Sequence, residues 1–80
     1  VKNKIKSNLI LNTLGEYCPI PIIKTQEYIN KIKMGEVLEI LSDDKGIIKD
    51  MIDWCKGSGN EFIGFDKDND KYRLYIKRLV

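Results

Sequence analysis

Pro19 and Pro21 stand one residue apart in Leu14-Gly-Glu-Tyr-Cys-Pro-Ile-Pro-Ile-Ile-Lys24, just ahead of apolar residues at helical spacing. A proline inside a helix removes a hydrogen bond and clashes with the preceding turn, but in the first turn it does neither. The pair therefore pins a helix start to this point. The spacing predicts Cys18 at the N-cap, Pro19 at the first helical position and Pro21 at the third. Ile20 and Ile22 are then the nearest N–H donors, and Gly15 allows a tight turn in the loop before them.

A sulfur at that place meets the positive end of a helix, which favours a thiolate over a thiol. The sharp reading is a reactive cysteine, and Pro-x-Pro directly behind Cys18 favours it. The plain alternative is a helix cap or a small core filler, because cysteine is among the most buried residue types. Glu16 acts against reactivity, since a nearby carboxylate raises a thiol's pKa.

The rest of the chain arranges itself around this stretch. Leu9-Ile10-Leu11 reads as a first strand with Leu9 and Leu11 on one face. Helix one is expected from Pro19 to about Met34, with Ile22, Ile29 and Ile32 inward, Ile23 beside them, and Gly35 as its left-handed stop. Glu36 to Ser42 is a second, largely buried strand. Ser42-Asp43-Asp44 supplies N-cap candidates for helix two, which runs to about Lys56 with the stripe Ile47, Ile48, Met51, Ile52, Cys55. Gly57-Ser58-Gly59 ends it. Asn60 to Phe65 and Lys71 to Leu79 are two further strands around a solvated Asp66–Asp70 loop, the last alternating Tyr72, Leu74, Ile76 against Arg73, Tyr75, Lys77.

Strand-helix-strand-helix-strand-strand predicts an α/β (α+β) two-layer sandwich. Right-handed crossovers put both helices on one face of a mixed four-stranded sheet. Residues 1–80 are expected to be one domain, with residues 1–7 frayed. The loop before helix one leaves the C-terminal end of the first strand, where open α/β sheets place ligands.

Composition removes several chemistries. With 14 basic and 12 acidic residues the net charge is +2, too small to indicate nucleic acid, and no direct nucleic-acid contact is expected. No apolar run is long enough to span a membrane, and no signal-peptide pattern occurs. The missing initial Met is read as the mark of a processed or trimmed product. Two cysteines make no disulfide scaffold, so cytoplasm and free thiols are the expectation. The chain has no histidine, which rules out a Cys–His nucleophile pair and a His-containing zinc site, so no metal or cofactor is expected.

Other patterns resolve into ordinary ones. Cys18 to Lys24 has the length of a phosphatase loop, but Lys stands where Arg is needed and two prolines remove phosphate-binding N–H groups. Asp66, Asp68 and Asp70 open like a calcium loop, yet Lys71 and Lys77 occupy the glycine and glutamate positions. Cys55 reads as a core residue and Trp54 as one that edges the core. Lys24, Lys31, Lys33, Arg73 and Lys77 offer a basic surface to an acidic partner, or are merely solvated.

Gly15-Glu-Tyr-Cys18-Pro19-Ile-Pro21 resembles the hallmark Gly-x-x-Cys-Pro-x-Pro of the TusA/SirA/YedF family of small sulfur carriers. The likeness continues through Ile23-Lys24-Thr25, Gly35-Glu36-Val37, Ser42-Asp43-Asp44 and Gly59-Asn60-Glu61, and spans Leu9 to Lys77. It implies a fold like the C-terminal domain of a bacterial translation initiation factor. It also implies that Cys18 carries sulfur as a persulfide, taken from a cysteine desulfurase or rhodanese-type donor and passed to a downstream acceptor protein. The pathways implied are tRNA thiolation and thiosulfate or selenium metabolism. In this reading Gly15 shapes the loop, Pro19 and Pro21 shape the helix start, and Lys24 attracts acidic partners or the anionic persulfide. The carrier is expected to be a monomer and to act only with partner proteins. The rival expectation is a non-catalytic docking or regulatory domain of a larger sulfur-metabolism protein.

Overall fold

The computed structural model describes residues 7–17 and 19–80. Its elements are β1 (Leu9–Asn12), α1 (Ile20–Ile29), β2 (Val37–Ser42), α2 (Ile47–Ser58), β3 (Glu61–Asp68) and β4 (Lys71–Lys77). The sheet order is β1-β2-β4-β3, with β1 parallel to β2 and both other pairings antiparallel. This is the mixed two-layer architecture expected from the sequence.

Strand alternation decides which side carries the core. Leu11 pairs with Ile40 and Ile40 with Leu74, while Leu9 pairs with Leu38 and Leu38 with Ile76. These side chains project from one face and form a single cluster with Ile29, Ile32, Ile47, Met51 and Cys55. Both helices therefore cover that face. On the opposite face Ile10 is exposed, while Glu39 and Tyr75 are buried. Polar partners make the burial of Glu39 tolerable: it accepts from Ser7 Oγ at 2.9 Å and pairs with Arg73 at 3.0 Å. The expected frayed start lies outside the described residues, except for Ser7, which this bond ties down.

Helix one is shorter than its apolar pattern predicts, ending at Ile29 rather than near Met34. Beyond Asn30 the chain turns so that Ile32 enters the core as a loop residue, its carbonyl accepting from the Arg78 guanidinium. Gly35 has the expected left-handed φ of +89°, but it serves the turn into β2 and donates to the Arg78 carbonyl. The buried face of α1 is Pro21, Thr25 and Ile29. Ile22 is only half-buried and Ile23 is exposed. Thr25 is tolerated there because its hydroxyl donates to the Pro21 carbonyl at 2.7 Å, one turn back.

Helix two keeps its predicted stripe but starts late, with Gly46 at the N-cap. Ser42 is still strand, and Asp44 folds the connection by accepting from Gly46 N–H at 3.0 Å. The stop is Gly59, left-handed at φ +87°. The Asp66–Asp70 loop is also tighter than expected. β3 runs through Asp68, and only Asn69 and Asp70 turn the chain, Asn69 adopting a left-handed φ of 58°. Asn tolerates that conformation because its short polar side chain bonds locally.

Candidate functional site

The motif loop is fastened to the sheet before it reaches the cysteine. Thr13, fully buried, donates to the Leu41 carbonyl through both its N–H (2.8 Å) and its hydroxyl (2.5 Å), extending the β1–β2 ladder. Asn12 Oδ1 accepts from Leu14 N–H at 2.9 Å, and Glu16 N–H closes a turn onto the Thr13 carbonyl at 3.0 Å. Gly15 occupies that turn at φ +82° and donates to Asp43 Oδ1 at 3.1 Å. Sequence reasoning found Gly15 but missed Thr13 and Asp43. The Ser-Asp-Asp run was visible, but a helix-capping use for it masked its reach across to the loop.

Nothing stands within 4 Å of where a Cβ on Gly15 would sit, so Gly15→Ala meets no clash. Its whole cost is the left-handed backbone, roughly 1–2 kcal/mol. Urea unfolding should show a loss of that size, and Gly64→Ala, which lacks a positive φ, provides the contrast.

The helix start is displaced by one residue from the predicted position. Pro19 is the N-cap and Pro21 the second helical residue, so neither occupies a position that needs its N–H. Ile20 N–H, expected to be one of the nearest donors, is bonded to the Tyr17 carbonyl at 2.9 Å because the chain closes a turn there. Tyr17, Pro19, Ile20 and Ile23 are all exposed. Cys18 itself lies outside the described residues.

Lys24, one turn into α1, places its ammonium 2.6 Å from Glu16 Oε2. The bond to Glu16 raises the lysine's pKa, with the charge of the same carboxylate adding to it. Glu16, read as acting against reactivity, and Lys24, read as attracting acidic partners or the anionic persulfide, are thus one ion pair. Other basic candidates are likewise engaged within the fold: Arg73 pairs with Glu39, and Lys31 lies 4.6 Å from the Tyr28 ring centre. A shallow pocket of about 170 Å³ opens where Leu14 of the motif loop meets Leu41, Tyr72 and Arg73.

Cys55 is buried on α2, 3% exposed, and its surroundings push its thiol up from 9.0 to about 11 by desolvation. It is a core thiol in a protonated state. In Cys18→Ser protein, alkylation at pH 8 is expected only after unfolding, as read by intact mass. Because the folded thiol holds its proton more tightly, this stabilisation is present below pH 9 and lost as pH rises through about 11. Two units correspond to roughly 2–3 kcal/mol, and Cys55→Ala should flatten that part of the stability–pH curve.

Among the described residues no cluster of His, Cys, Asp and Glu could hold a metal, and no helix is long and apolar enough to cross a membrane. The family model described as sulfurtransferase TusA matches residues 9–78. The chain is 35% identical over 74 residues to YrkF of Bacillus subtilis, covering 92% of this chain but only 40% of YrkF. It is 31% identical over 68 residues to the sulfur carrier protein TusA of Allochromatium vinosum, covering 85% of this chain and 90% of that protein. The solved SirA-like protein of Desulfitobacterium hafniense shares the fold, with a TM-score of 0.72 at 24% identity over 90% of this chain and 99% of that one. With a motif loop anchored to the sheet end, a Pro-x-Pro helix start and a family match over nearly its whole length, this chain belongs to the TusA family.

Proposed function

We propose that the chain is a sulfur carrier in which Cys18 holds sulfane sulfur as a persulfide between a donor protein and an acceptor protein. The observation that carries the reading is the Gly15–Pro21 motif at the start of α1 in a chain of the TusA family. The chemistry asks little of the fold. Cys18 thiolate attacks the terminal sulfur of a donor persulfide, one S–S bond forms as another breaks, and the donor leaves as its own thiolate. No oxidant is consumed, and a thiolate nucleophile requires no histidine base.

The surroundings suit that exchange. The α1 N-terminus favours an anion in its vicinity, and the carrier remains anionic as thiolate or persulfide. Tyr17 and Pro19, the chain neighbours of Cys18, are exposed, which leaves the loop open to a partner's cysteine. The loop's bonds to Leu41 and Asp43 hold it against the sheet end while partners come and go. A cysteine desulfurase with cysteine, or a rhodanese with thiosulfate, is the expected donor class. The acceptor is a thiol protein leading to tRNA thiolation or to thiosulfate, selenium or other sulfur metabolism.

Incubating reduced protein with each donor pair and reading intact mass tests this. One added sulfur per chain, removed by reductant, is the expected result. A folded protein with an accessible thiol that loads from neither donor would overturn the carrier and leave a docking or regulatory domain.

A further inference from the structure

We infer that Asp43 is a positioning residue of the motif loop: one oxygen of its carboxylate holds the Gly15 turn, so that a partner protein meets a loop already ordered. The role rests on the sulfur-carrier function proposed above. The bond is a single one, Gly15 N–H to Asp43 Oδ1 at 3.1 Å, but it joins residues 28 apart in sequence. It also joins two separate connections of the fold, the loop before α1 and the one before α2.

The other bonds of the loop leave this task to Asp43. Thr13 is tied to the Leu41 carbonyl by both its N–H and its hydroxyl, which fixes the root of the loop beside β2. Past that root, Leu14 N–H donates to Asn12 Oδ1 and Glu16 N–H to the Thr13 carbonyl, so both bonds stay local. Glu16 then pairs with Lys24, which belongs to the helix that the loop leads into. Among the described residues between Leu14 and Tyr17, Gly15 is the one hydrogen-bonded to the β2–α2 connection.

Asp43 is itself held from both sides. Ser42, fully buried at the end of β2, accepts from Asp44 N–H through its Oγ at 3.1 Å. Asp44 turns the chain into α2, its carbonyl accepting from Ile47 N–H at 3.1 Å and its Oδ1 from Gly46 N–H at 3.0 Å. The two adjacent carboxylates thus divide the work: Asp44 shapes the start of α2, and Asp43 reaches back to the loop. A loop without its anchor has to be ordered at the moment of docking, and its apparent affinity falls with the fraction already in the docked shape. The sulfur exchange that follows docking is the same in both cases. Loss of Asp43 therefore acts on KM and not on kcat.

The test compares Asp43→Ala, Asp43→Asn and Asp44→Ala by residue-resolved amide hydrogen exchange, and by loading from a cysteine desulfurase supplied with cysteine. Asp43→Ala should speed exchange at Gly15 about tenfold, the weight of one lost hydrogen bond to a charged group. The desulfurase's KM for the carrier should rise by a similar factor at unchanged kcat. Asp43→Asn keeps an oxygen acceptor in place and should return both values toward the parent's. Asp44→Ala should lower the melting temperature and leave Gly15 exchange as it was. Slow exchange at Leu38 and Ile40 in the core shows that each variant is folded. Gly15 exchange that is unchanged in Asp43→Ala, or raised as much by Asp44→Ala, would overturn the role. So would an Asp43→Asn protein that behaves as Asp43→Ala does, or faster exchange with an unaltered KM. A parent protein that fails to load marks a failure of the carrier reading, whereas a failure of the anchor is read from Gly15 exchange, which needs no sulfur donor.

Discussion

Cys18→Ser is expected to emerge from incubation with either donor pair with no added sulfur, while Cys55→Ala retains one sulfur per chain. Serine differs from cysteine by one atom, but its oxygen is neither a thiolate at neutral pH nor able to hold sulfane sulfur, so the effect is all or none. The Cys55 arm makes the assignment specific. That thiol is buried within the α2 face of the core, and at pH 8 it is almost entirely protonated because its pKa stands near 11. It is neither reachable nor nucleophilic until the domain opens. Loading that survived Cys18→Ser and vanished in Cys55→Ala would move the chemistry to α2 and overturn the proposed site. Full loss in Cys18→Ser, with an unchanged melting temperature, would separate lost chemistry from lost structure.

How much of this was legible in the sequence differs by level. Element order, strand faces and the α2 stripe were readable, because alternation and helical spacing are imposed by the core they build. The end of α1 was not. Ile32 keeps helical spacing from Ile29, yet its carbonyl bonds Arg78, 46 residues away, and the chain around it turns through local bonds such as Lys31 N–H to the Tyr28 carbonyl. Periodicity reports that a residue is buried, not which backbone carries it there. The buried Glu39 was missed for a similar reason, since its partners Ser7 and Arg73 lie 32 and 34 residues distant in sequence.

At the site, the cysteine motif and Gly15 were legible as local chemistry. The Asp43 contact to Gly15 and the Glu16–Lys24 pair were not, because each depends on where α1 and the β2–α2 connection come to rest.

Leu38→Ala is expected to remove roughly 2–5 kcal/mol of stability, the usual cost of emptying a fully buried leucine site. Leu38 is 0% exposed at the centre of the sheet, paired with Leu9 of β1 and Ile76 of β4 under the helical layer. At roughly 0.05–0.15 kcal/mol per residue, a domain of this length holds about 4–12 kcal/mol in total, so this one change takes a large share. Ile10→Ala is the matched control. Ile10 neighbours Leu9 on the same strand but faces away from the helices at 55% exposed, so its loss should stay within about 0.5 kcal/mol. Urea unfolding followed by Trp54, which packs at the edge of the core, should shift its midpoint markedly for Leu38→Ala with little change in slope. Equal midpoint shifts for the two variants would mean that the sheet does not bury the face described. A large shift confined to Leu38 would show that the helix-covered face of the sheet holds the domain together.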